Sequence, residues 1–185
     1  MIIKYVSLVL YLPYIYYLKH VKKRFHEIHS LLKSKICGTT AFSAMISFVS
    51  PYSGSINPMV EQFDENTIKC SIKEKICIEN PFNSIHALAL ANLGELTSGL
   101  LMMDYLQYSK QKGIITKITI EYHKKARGKI TAICNIKSLH KGIIKSELYD
   151  EKKTLICAVF CTWNIKKCDI YSGALNHPLH MPEPQ

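Results

Sequence analysis

Residues 80–104, Asn-Pro-Phe-Asn-Ser-Ile-His-Ala-Leu-Ala-Leu-Ala-Asn-Leu-Gly-Glu-Leu-Thr-Ser-Gly-Leu-Leu-Met-Met-Asp, constrain the fold more than any other stretch of the chain. Asn83 and Ser84 have N-cap chemistry, and the Ala-, Leu- and Met-rich run behind them predicts one long helix reaching about Tyr105. A helix that is apolar nearly all round has to be covered on most sides. Helical spacing sets Ile85, Leu88, Leu96 and Met103 on one side and Ala87, Ala91, Ser98 and Met102 on a neighbouring strip of mostly small side chains. Glu95 falls in that strip. A carboxylate with small residues one turn either way leaves room for a ligand beside it, and partial burial would raise its pKa towards that of a working base. The alternative is a solvated helix glutamate, a common fate for that residue type.

Around this helix the periodicity is that of strands. Before it, residues 59–63 read as one strand, Asp64-Glu65-Asn66 as a turn, and Ile68, Cys70 and Ile72 alternate with Lys69, Ser71 and Lys73 as a second. After the Gly113 turn, Ile118, Ile120 and Tyr122 alternate with polar neighbours, Ile130, Ala132, Cys134 and Ile136 share a face, and residues 143–149 and 155–165 complete four strands. Two strands, a long helix and four strands that can run as an antiparallel meander predict an α+β domain, with a curved sheet of five to six strands wrapped around the helix. The turn cluster Ser50-Pro51-Tyr52-Ser53-Gly54-Ser55 marks its start. The expected divisions are an apolar membrane-anchor or targeting segment at 1–20, a helical segment at 21–49 interrupted near Cys37-Gly38, the α+β domain at 50–166 and a loose tail at 167–185.

The 185 residues carry a net charge of +10, which favours an anionic partner: nucleic acid, a lipid surface or a phosphate-bearing substrate. No DNA- or RNA-binding motif accompanies the charge, so nucleic acid is not expected. Seven cysteines, an odd count without a Cys-x-x-Cys pair, speak against a disulfide framework and against a structural zinc site, and suit a reducing intracellular compartment. His26-Glu27-Ile28-His29 lacks the i, i+4 pair of a zincin, so no metal is expected there.

The first eighteen residues are apolar and aromatic, with five tyrosines among the first seventeen, and Lys19, Lys22, Lys23 and Arg24 follow at once. The stretch is at the short end of what spans a bilayer, contains Lys4 and Pro13, and has no small-residue cleavage site. Tyrosines and basic residues suit a membrane interface, so membrane contact through residues 1–24 is expected. An organelle address is a second reading: the lack of acidic residues before Glu27 agrees with a mitochondrial one, the scarcity of Arg and Ser does not. A third is a helix packed on the domain itself.

Three blocks, residues 51–56 (Pro-Tyr-Ser-Gly-Ser-Ile), 80–99 and 120–128 (Ile-Glu-Tyr-His-Lys-Lys-Ala-Arg-Gly), together resemble a little-characterised branch of the hotdog-fold acyl-CoA thioesterases, in order and spacing, over roughly residues 50–165. The resemblance is to the phenylacetyl-CoA type, in which an Asn opens the loop, His-Gly-Gly begins the helix and an acidic residue follows two turns in. It implies a hotdog fold, a homodimer or dimer of dimers, hydrolysis of fatty acyl-CoA thioesters, and no cofactor beyond the coenzyme A of the substrate. Asn80, His86 and Glu95 match the loop Asn, the His and the acidic residue. Ala87 and Leu88 replace the two glycines, and the strand Ser or Thr falls at Ile115, beside Thr116.

The chemistry can be stated from the residues as well. A helix start offers free N–H groups, so the Ala87 N–H suits an oxyanion and Glu95 suits activation of water, with Ser84 beside the loop. Lys124, Lys125 and Arg127 suit coenzyme A phosphates. Ala87 and Glu95 are eight residues apart, about 12 Å along one helix, so a single carbonyl can reach both only if two subunits contribute. Two alternatives stay open: a non-catalytic acyl-CoA or lipid-binding module, and a hydratase or dehydratase that uses His86.

Overall fold

The computed structural model describes residues 6–13, 16 and 23–167. The expected tail, with Cys168, and the parts of the apolar segment at 1–5, 14–15 and 17–22 lie outside the described residues.

The strand-patterned stretches form β1 (Met59–Phe63), β2 (Thr67–Lys73), β5 (Gln111–Tyr122), β6 (Lys129–Asn135), β7 (Ile143–Tyr149) and β8 (Leu155–Lys167). A two-residue hairpin of β3 (Glu79–Asn80) and β4 (Ser84–Ile85) precedes the central helix. The six long strands make one antiparallel sheet in the order β1-β2-β6-β7-β8-β5. This corrects the expected meander. β5 pairs with β8 at the far edge, and β6 returns beside β2, so the chain crosses from one edge to the middle after β5. Side-chain alternation sets which face of a strand is buried, and it carries no information about which strand lies alongside.

Helices α1 (Phe25–Lys33), α2 (Gly38–Val49) and α3 (Pro51–Gly54) precede β1, and α4 (Ala87–Tyr108) is the central helix. The Ser50–Ser55 cluster, expected as an open turn, therefore contains a helical turn, with Pro51 at its first position where the missing N–H costs nothing. α4 packs against β2, β5, β6, β7 and β8 and buries Leu90, Leu93, Leu100, Leu101 and Met102. Leu88 and Met103, by contrast, stand exposed. α4 lies close to the sheet at Gly94, where a Cβ would lie 2.4 Å from Val159 Cγ2 on β8. Gly94→Ala would gain helix propensity yet overpack this contact, and we expect a net loss of about 1–3 kcal/mol, read as a lower urea midpoint and partly restored by Val159→Ala.

The two sheet edges are treated differently. On β1, the outward Val60 N–H donates to Ser43 Oγ at 2.9 Å, and the Val60 carbonyl meets His29 Nε2 at 3.3 Å, so side chains of α2 and α1 satisfy the outward backbone groups of Val60. His29 lies buried between Phe42 and Phe63, and desolvation lowers its pKa. The outer side of β5 is covered by nothing among the described residues, and Ile114, Ile118 and Tyr122 are exposed along it.

The other histidine of the His26–His29 motif enters a clasp. Asp104, fully buried on α4, receives Arg24 Nη2 at 2.6 Å, the His26 backbone N–H at 3.1 Å, and lies 2.9 Å from His26 Nδ1. Cys70, Cys134, Cys157 and Cys161 are buried, and desolvation pushes the first three thiols up to about 12, which makes them inert filling. Cys37 and Cys77 are exposed.

Candidate functional site

The helix start is built by the β3–β4 hairpin. Asn80 Oδ1 accepts from the Phe82 N–H at 3.0 Å and from Ser84 Oγ at 3.1 Å, while Asn83 turns the chain at φ 53°. This consumes the two residues expected to cap the helix. The N-cap is His86, whose Nδ1 accepts from the Leu88 N–H at 3.1 Å. Asn and Ser are the better caps by propensity, but hairpin pairing holds Ser84 in a strand and buries it.

Two further contacts fix the helix start. Tyr122 Oη at the end of β5 donates to the Ala87 carbonyl at 2.9 Å. The loop 123–128 lies alongside, with the Ala126 carbonyl accepting from the Ile85 N–H at 3.0 Å. Arg127, expected to bind substrate, is engaged inside the protein: its Nε is 2.7 Å from Glu74 Oε1 and Nη1 donates to the Asn83 carbonyl. Lys124 and Lys125 are exposed and make no ion pair among the described residues. The Ala87 N–H, first of the helix, has no partner among the described residues.

Glu95 lies two turns along α4, between two apolar clefts. One, of ≈ 380 Å³, is lined by Tyr52, Leu88, Ala91, Asn92, Ile118 and Ile120. The other, of ≈ 120 Å³, is closed by Phe25, Ile46 and Val49 of the N-terminal helices and by Leu96, Gly99 and Met103 of α4. The carboxylate is half-buried, forms no hydrogen bond or ion pair with any described residue, and is raised in pKa by desolvation alone. Small neighbours one turn either way give it this space: Ala91 on the cleft wall and Gly99, where a Cβ would stand 3.3 Å from Oε1. A solvated surface glutamate would have neither the clefts nor the shift.

The remaining expected residues fall at different distances from this centre. Thr116 occupies a bulge between Ile115 and Lys117, and its hydroxyl donates to the Thr162 carbonyl at 3.3 Å, so the cleft wall opposite Glu95 is made by Ile118 and Ile120. His86, Ala87 and Asn80 gather at the helix start, and Glu95 stands eight residues further along the same helix. Sequence reasoning assigned no part to Tyr52 and Tyr122. Tyr52 lay in a turn cluster and Tyr122 at the end of an alternating strand, and although both fall in blocks that carry the family resemblance, neither side chain was given a role. A larger groove of ≈ 510 Å³ lies on the sheet face turned away from α4, between Lys69, Lys129, Tyr149 and Lys153. Asp150 at its rim is engaged in holding its own turn through the Lys152 and Thr154 N–H groups.

Comparison with curated proteins gave no match. Among solved structures, a structural-genomics protein, APC5556, superposes with a TM-score of 0.68 at 20% identity, over 78% of this chain and 99% of its own. A Staphylococcus aureus thioesterase, SAV0944, gives 0.56 at 18%, over 63% and 99%. The PaaI protein of the Escherichia coli phenylacetic acid degradation operon gives 0.55 at 11%, over 65% and 88%. These likenesses establish the fold. The family model for the domain of unknown function DUF4442 matches residues 38–165, so the chain belongs to that family, and its likeness to the solved structures gives it a hotdog fold.

Proposed function

We propose that this protein hydrolyses acyl-CoA thioesters at two equivalent sites, each formed between two copies of the chain. Glu95 of one subunit activates water, and the Ala87 N–H of the other stabilises the oxyanion. The observation that carries the reading is Glu95 itself, a half-buried carboxylate without a partner among the described residues, between apolar clefts. No described residue engages this charge, and the clefts beside it are lined mostly by apolar side chains. The S. aureus thioesterase was crystallised in two variants, one losing a glutamine and one a glutamate fifteen residues further on. Asn80 and Glu95 are separated by the same interval.

The reaction is water attack on the thioester carbonyl. Glu95 takes the proton of the water, the Ala87 N–H steadies the negative carbonyl oxygen, and collapse of the intermediate expels the coenzyme A thiolate, which is then protonated. The fatty acyl chain lies beside α4, and Lys124 and Lys125 meet the nucleotide phosphates from outside. The uncovered twelve-residue edge of β5 supports the homodimer, since two such edges can pair into one continuous sheet. No cofactor is required.

One observation favours a second reading, a binding module that holds acyl-CoA without cutting it. His86 Nδ1 already takes the Leu88 N–H, which leaves a single N–H at the helix start for an oxyanion. The same bond weighs against a hydratase. With Nδ1 accepting, the neutral imidazole carries its proton on Nε2 and acts as a donor, not as a base.

The deciding measurement is thiol release from acyl-CoAs of increasing chain length, with binding followed in parallel. Release is expected to rise with pH through the elevated pKa of Glu95 and to disappear below it, because the protonated carboxyl cannot accept the water proton. Tight binding without release at any pH decides for the module.

A further inference from the structure

We infer that the N-terminal helical residues and the corner between α1 and α2 form a surface that docks on anionic lipid, lying along the bilayer and not through it. Residues 6–13 and 16 are helical. Ser7 and Leu8 are buried, and Tyr11 packs on the core and donates its hydroxyl to the Ile36 carbonyl at 2.8 Å, so the helical residues are fastened to the α1–α2 corner. At 100° per residue, the opposite side presents Val6, Val9, Leu10, Pro13 and Tyr16. All five are exposed, Leu10 at 73%, and none carries a charge. A water-facing helix surface ordinarily carries polar side chains, and an apolar one marks a surface with a partner.

The corner identifies that partner. Ile36, 88% exposed, stands there directly after Lys33 and Lys35, which are themselves exposed and free of ion pairs among the described residues. Apolar side chains flanked by unpaired lysines, joined to a helix that offers an aliphatic and tyrosine face, match the acyl boundary and the anionic headgroups of a lipid surface. A second copy of the chain would bring lysines against lysines at this corner. Among the described residues, no helix is long and apolar enough to cross a membrane. The inference does not depend on catalysis.

The test is co-sedimentation of the full chain with phosphatidylcholine vesicles, with and without phosphatidylserine. Binding to the phosphatidylserine vesicles is expected, weakening with added salt. Leu10→Glu should weaken it at least tenfold, and Lys33→Ala with Lys35→Ala by about fivefold per lysine. Ile76→Glu, at a 91% exposed apolar position elsewhere on the surface, should leave it unchanged, and all variants should keep the wild-type melting temperature because the altered side chains face solvent. Absence of vesicle binding would overturn the proposal. So would binding that survives Leu10→Glu, or self-association lost in Leu10→Glu without any lipid binding.

Discussion

Glu95→Gln is expected to lower thiol release from acyl-CoAs by about 10²–10⁴-fold while leaving the fold and the subunit assembly intact. The amide matches the carboxylate in shape and so keeps the cleft walls, but it cannot accept the proton of the attacking water. Its stability should move the other way. The folded-state pKa of Glu95 is raised, so ionisation above the unfolded-state value costs the native state free energy, and the amide does not ionise. At neutral pH the variant should therefore unfold no earlier than wild type and bind acyl-CoA at least as well. Loss of activity together with stability would mean that the side chain is structural. Unchanged activity in a stable variant would remove Glu95 from the mechanism.

Asp104→Ala should be the most damaging single change to stability. The carboxylate is fully buried and has three donors around it, two from side chains and one from the backbone. Arg24, whose guanidinium also lies 4.8 Å over the Tyr108 ring, would be left largely buried with its main counter-charge gone. Removing one member of such a pair costs about 3–5 kcal/mol, which for a chain of this length lowers the melting temperature by on the order of 10 °C. Arg24→Met combined with Asp104→Ala should cost less than the two single changes added together, because the residual penalty is the stranded charge. A drop of 1 °C or less for Asp104→Ala would show that water reaches the clasp and that the pair contributes little.

Which parts of this molecule could be read from its sequence follows from what each signal reports. The six strands and the central helix appear where the apolar periods change from 2 to 3.6 and back, and the space around Glu95 was visible as small residues at helical spacing, later found as Ala91 and Gly99. Strand order was hidden because neighbouring strands are chosen by tertiary packing, and β5 reaches β8 only after the chain has crossed the sheet. The cap was misplaced for a similar reason: Asn83 and Ser84 have the right chemistry, but a hairpin of two residues per strand, too short to show a period, claims them first. Arg127 looked free because its partners, Glu74 and the Asn83 carbonyl, are distant in sequence and adjacent in space. The clasp itself was missed: Arg24 was read as part of a basic cluster for a membrane and His26 as part of a discarded metal motif, since a buried ion pair eighty residues apart leaves no local pattern.

The contrast between the two borders of the sheet limits how large an assembly of these sheets can grow. Strand β1 ends the hydrogen-bond ladder on its side, because Ser43 and His29 occupy the Val60 N–H and carbonyl that a further strand would need. The ladder can lengthen only past β5. A unit with a single growing end has a valence of one, so joining two of them uses up every available end. Two copies that paired there would make a closed pair, with no free ladder at Val60 on the α1–α2 side to extend it into a fibre.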